Sequence, residues 1–221
     1  MRKSSFHCNR RSFIKTSTPL TLGLIGYSFF PQQAWSMDNP DDDINIIGPK
    51  DGFSPQIGTL VSMLNWMRMV ILRPVQNMSV DQLDYLYDAK SNTIGAMLLH
   101  LAATERYYQL HTFDCMKWGT WDENIKKQWD IPMGLGETAR KTIKGNNLAY
   151  YLTTLKEVRE KTMEELKKRN DTWLMSVDKE WPWGPTNNYC KWFHVCEHES
   201  NHNGQIKWIK SRLPGAKDNN D

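Results

Sequence analysis

Apolar residues recur at three- and four-residue spacing along four long stretches of the chain, the mark of helices with one buried face. Ile57, Leu60, Val61, Leu64, Met67 and Ile71 form the first stripe. It opens on Ser54-Pro55, a capping residue followed by a proline whose missing N–H costs nothing there, and Pro74 closes it. Ile94, Met97, Leu98, Leu101, Tyr108 and Leu110 form the second, starting near Asn92 or Thr93. Leu148, Leu152, Leu155, Val158, Met163 and Leu166 form the third, over about 147–170. The fourth begins near Asn187 or Asn188, ends at Leu213, and turns Val195, His198, His202, Ile206 and Ile209 inward. Ser79 with Gln82 predicts a capping box for a short helix over 80–87.

No segment of appreciable length alternates at period two, so the pattern predicts an all-α four-helix bundle. Two long crossover connections, 113–146 and 171–188, interrupt it. Both are rich in tryptophan, proline and glycine. Connections of this length are uncommon in a compact domain and often carry function, although tryptophans also serve simply to dock a crossover onto a core.

The 221 residues suffice for one domain once an N-terminal extension is set aside. Residues 1–36 are predicted to be a signal peptide. Asn9-Arg10-Arg11-Ser12-Phe13-Ile14-Lys15 pairs two arginines ahead of a modest apolar run from Leu20 to Phe30, resembling a twin-arginine export address. Ala34-Trp35-Ser36 places small residues for cleavage after Ser36, and the run is too short to anchor the chain in a membrane. A periplasmic or otherwise extracytoplasmic bacterial protein is expected, carried out by the twin-arginine machinery. A flexible lead-in (37–53), the bundle (54–215) and a disordered polar tail (216–221) would follow. The formal charge of +3 belongs to the leader, whose five basic and no acidic residues leave 23 basic against 25 acidic side chains. No nucleic-acid stripe remains. Cys115, Cys190 and Cys196 are an odd count, which argues against a disulfide framework, although one bridge between some pair of them stays open.

The chemistry gathers in the last helix. His194, His198 and His202 stand four residues apart on one face, and neighbours in that column can share an ion. The outer two lie roughly 12 Å apart along the axis, too far to do so. Two histidines leave a metal under-coordinated, so a third ligand must come from a facing helix. His100, beside the stripe of the second helix, is the candidate.

The stretch 92–105, NTIGAMLLHLAATE, together with His194-Val195-Cys196-Glu197-His198-Glu199 and His202-Asn203-Gly204-Gln205-Ile206, resembles the DinB/YfiT-like superfamily of metalloenzymes. Supporting likeness lies in 57–65 and 133–140, and the resemblance spans about 54–215. It implies a four-helix bundle with a divalent metal on His100, His198 and His202, while His194 would stand beside the site without ligating. Zinc suits three imidazoles best; nickel, iron or manganese would also fit.

Three protein ligands leave a position open, which suits catalysis on water or a substrate group. The expected activity is that of a metal-dependent hydrolase or transferase acting on a small molecule. The alternative is a non-catalytic bundle that the metal staples, acting as a binding protein, with Glu105 or Cys196 closing the coordination. Glu199 and Glu105 are candidate proton acceptors, though a glutamate one position from a histidine is turned roughly 100° away on a helix. Gln205, three residues beyond His202, is the better candidate for orienting it. An exported copy would meet little of a cytosolic thiol, which weighs against transfer to one. A homodimer is compatible with the sequence, which does not require it.

Overall fold

The computed structural model describes residues 43–216, so the predicted leader, its cleavage site and the last residues of the tail lie outside the described residues. Helices α1 (Pro55–Val75), α3 (Ile94–Thr112), α6 (Leu148–Lys167) and α8 (Asn188–Lys210) are the four long elements. Between them lie α2 (Val80–Leu83), α4 (Glu123–Gly134), α5 (Gly136–Thr142), α7 (Asp171–Met175) and a two-stranded antiparallel hairpin, β1 (Val177–Asp178) and β2 (Thr186–Asn187). The fold is all-α.

Helix α3 is the central element. It packs on α4, α6 and α8, and α8 in turn packs on α1. Nearly all of α3 is therefore buried, including the glycine at 95, where an added Cβ would stand 2.6 Å from the Tyr151 hydroxyl of α6. Asn187, Thr93 and Asn147 cap α8, α3 and α6 by accepting an early backbone N–H, as the sequence suggests. Ser54 does not cap α1 in this way. Its hydroxyl instead donates to Asp171 at the start of α7, and that carboxylate also accepts from the backbone of Gln56 and Ile57.

Several expected boundaries move. The helix at 80–87 stops at Leu83, and α1 runs one residue past Pro74, whose lost hydrogen bond matters little in a last turn. The connection 113–146 is largely helical: α4 and α5 escape the periodicity because α4 buries only Trp129 and Pro132, and α5 only Ala139. In the second connection the hairpin is pinned by Asp178. Its carboxylate binds Lys191 (2.8 Å), which is buried against the Trp181 ring, and His111 (3.0 Å). Cys115 and Cys190 are exposed free thiols and Cys196 is a buried one, so the disulfide left open by the sequence does not form among the described residues.

Candidate metal centre

Antiparallel packing of α3 against α8 brings the three histidines together. His100 meets both His198 and His202, with ring centroids 5.0 and 4.9 Å away. One ligand atom from each of the three lies within 4.8 Å of the others.

The backbone sets the orientation of His100. Helix α4 is capped after Gly134 by Leu135, which adopts φ 50, a left-handed value strained for leucine. The next amide, Gly136, donates to the side chain of Asn92 (3.3 Å). The Pro132 carbonyl, one of the four that a helix end leaves without an internal partner, is thus free to accept from His100 Nδ1 (3.0 Å). With its proton on Nδ1, His100 turns a bare Nε2 toward His198 Nε2, 2.8 Å away. Two ring nitrogens that close require a proton or a shared cation between them.

His202 adds a second sign of the same kind, for its buried Nδ1 has no hydrogen-bond partner. Gln205, expected to orient that ring, donates its amide N–H to Asn201 Oδ1 (2.7 Å), and its side chain also pulls the His202 pKa upward through a hydrogen bond. Burial lowers the His198 pKa to about 3, helped by His202, His100 and His194. Burial first, and then His100, lowers His202 to about 4. His100 is also lowered by burial, against the pull of the Pro132 and Met133 backbone. All three are therefore neutral at pH 7, the form that binds metal. The His194 ring is tilted against His198 (5.4 Å) and also meets Tyr108 and Trp183, and its Nδ1 stands 3.2 Å from Glu197. It is outside the triad.

Glu105 and Glu199 go elsewhere. Both are fully buried, in a four-membered ion cluster that takes one residue from each long helix: Arg68, Glu105, Arg159 and Glu199. Glu105 accepts from Arg68 (2.8 Å), from Arg159 (2.8 and 3.1 Å) and from the Thr162 hydroxyl (2.6 Å). Glu199 Oε1 accepts from Arg68 (3.0 and 2.7 Å) and from Arg159 (2.8 Å). Nη1 of each guanidinium also donates to a backbone carbonyl, Arg68 to Leu155 and Arg159 to Leu64. Burial raises the Glu105 pKa, but Arg159 and Arg68 outweigh it and hold the carboxyl below its ordinary range. Cys196 is not a ligand either: burial lifts its thiol to about 11, and the group of possible ligands among the described residues is the three histidines.

The arginines are absent from the sequence reading, yet they left a signal. Arg68 lies four residues past Leu64 and three before Ile71; Arg159 lies four past Leu155; Glu105 and Glu199 hold equivalent stripe positions after Leu101 and Val195. Four charges at core positions, two of each sign, require one another.

Among solved structures, a conserved protein from Enterococcus faecalis superposes with a TM-score of 0.53 at 13% identity, covering 69% of this chain and 93% of that one, a likeness of fold. No curated protein matches. The family model described as Mycothiol-S-transferase matches residues 59–215, which takes in all three histidines and all four members of the ion cluster. The chain belongs to the mycothiol-S-transferase family, within the DinB/YfiT-like superfamily.

Proposed function

We propose that this protein is a metal-dependent transferase that joins the sulfur of a small thiol to an electrophilic substrate, with zinc as the ion. The observation that carries the reading is the cluster of three buried, neutral imidazoles, two of them with ring nitrogens 2.8 Å apart and one with an unpartnered nitrogen. These residues fit a divalent ion: His100, His198 and His202 would hold it and leave room for a substrate group. Such an ion supplies Lewis acidity, which favours a deprotonated sulfur or oxygen nucleophile near neutral pH.

The chain itself does the positioning. Pro132 holds His100 in the tautomer that presents Nε2. Glu199 sits between the two histidines of α8, and its bonds to Arg68 and Arg159 fix that helix's rotation. We assign Glu105 and Glu199 this positioning role and not proton transfer, because guanidiniums hold both oxygens of Glu105 and Oε1 of Glu199. Family membership favours transfer over hydrolysis. Export remains part of the proposal on the strength of the sequence alone, namely Arg10-Arg11, the apolar run from Leu20 to Phe30 and Ala34-Trp35-Ser36; an exported copy would need a thiol available in its own compartment. Among the described residues no helix is long and apolar enough to cross a membrane.

The test supplies the zinc-loaded protein with a panel of electrophiles, with and without mycothiol, cysteine or glutathione. Thiol-dependent consumption of the electrophile, lost in His100→Ala, is the expected result. Consumption without thiol would replace the transferase reading with a hydrolase. No turnover at full metal occupancy across the panel would favour a non-catalytic, metal-stapled bundle.

A further inference from the structure

A cavity of about 490 Å³ lies between the first turn of α3, the last turns of α8 and the loop that precedes α3. Met97, Trp208 and Ile209 give it apolar walls, while Lys90, Asn92 and Gln205 add polar groups. Its volume falls in the range of sites for small metabolites. It also has a defined relation to the metal centre. Met97 is three residues before His100 and Gln205 three after His202, so these two lining residues stand about one helical turn, roughly 4.5 Å of rise, from members of the triad on the same two helices.

The wall carrying Lys90 is a built loop. Asp88 accepts from the backbone of both Lys90 (2.7 Å) and Ser91 (2.8 Å), and the Lys90 carbonyl accepts from Arg140 (3.2 Å). The Lys90 ammonium makes no ion pair among the described residues. On the opposite wall the Trp208 ring is held between Tyr87 (4.6 Å) and the Arg212 guanidinium (4.1 Å). Asp88 is turned to its own loop's amides, Arg140 is bonded to the Lys90 carbonyl and Arg212 lies over the Trp208 ring, so Lys90 is the charged residue of the lining.

We propose that this cavity receives the tail of an elongated substrate that ends in a carboxylate or another anion, paired with Lys90, while the opposite end of the same molecule reaches the metal. The inference rests on the metal reading above and adds the substrate class. An apolar chain would lie against Met97, Ile209 and the Trp208 ring, and its anionic end would meet the one lining ammonium.

The probes are hydroxamates, which bind divalent metals through a fixed head group. Monohydroxamates of dicarboxylic acids, from succinic to suberic, are compared with alkyl hydroxamates of equal length. Binding to the cobalt-substituted full chain is followed by its visible spectrum and to the zinc form by calorimetry. For the suberic member the carboxylate should tighten binding about fivefold over its uncharged counterpart, the size an exposed ion pair supplies, and added salt should shrink the gain. Lys90→Glu should abolish or invert that preference. Gly204→Leu, at a helical position where a Cβ meets nothing within 4 Å, should remove the benefit of chain length in both series by filling the cavity. Cobalt uptake with equal affinity for the two series, or a carboxylate preference that survives Lys90→Glu, overturns the tail site and leaves the metal reading standing. No cobalt uptake overturns both.

Discussion

Replacing Glu105 by Gln should be among the most damaging single-atom changes available in this protein. The carboxylate is 0% exposed and is the shared acceptor for Arg68, Arg159 and Thr162. An amide keeps the shape but turns N–H donors toward guanidinium N–H donors, and it leaves the cluster with one uncompensated positive charge out of reach of water. Breaking a buried pair in this way costs about 3–5 kcal/mol. For a bundle of this size that corresponds to a fall in melting temperature of roughly 6–20 °C. Arg159→Met alone should cost a similar amount by stranding a negative charge. The two changes together restore neutrality, so the double variant should be more stable than the sum of the singles implies, with a coupling above about 1 kcal/mol. Chemical denaturation of the four proteins measures each term. A loss below about 1 kcal/mol for Glu105→Gln, or strict additivity, would refute the claim that the four charges act as one buried unit.

Other consequences follow from the same geometry. For the metal-free chain, His198 and His202 titrate at about 3 and about 4, against about 6.5 unfolded. The unfolded state therefore binds more protons in between, so the histidines' contribution is fully present above pH 6.5 and is lost as pH falls toward 4 and then 3. Denaturation midpoints should drop across that window, and the slope should flatten in His198→Ala/His202→Ala. Asp178 adds a separate and lower window: Lys191 is the main cause holding its carboxyl at about 2, so its support disappears only as pH falls from about 4 toward 2, and Asp178→Asn should remove that limb of the profile. Gly95→Ala should destabilise by about 1–3 kcal/mol, because the new methyl meets the buried Tyr151 ring and hydroxyl; Tyr151→Phe should recover part of that loss, as thermal melts would show.

Much of this architecture is legible along the chain because the four long helices each bury a stripe of ordinary helical period. The three-histidine site is legible for a narrower reason. A column at i, i+4 and i+8 on one helix cannot satisfy an ion by itself, which forces a search for a ligand on a facing helix, and His100 stands beside the stripe that faces it. Helices α4 and α5 leave no such trace: they rest on a few contacts such as Trp129, Pro132 and Ala139 at the edge of the bundle. The fate of Glu105 and Glu199 does not follow from their neighbours in sequence. Glu199 is one position from His198 and Glu105 five from His100, yet the stripe positions they occupy point to the two arginines. The tautomer of His100 depends on a strained Leu135 and a freed Pro132 carbonyl, a relation across 32 residues that periodicity does not carry.

The most direct test of the central claim is the metal content of protein purified without an affinity tag. Elemental analysis should find about one divalent ion per chain in the wild type, and background levels in both His100→Ala and His198→Ala while circular dichroism shows the helices intact. Equal, background metal in all three folded proteins would mean that the imidazoles form a hydrogen-bonded cluster of their own, and would contradict the account.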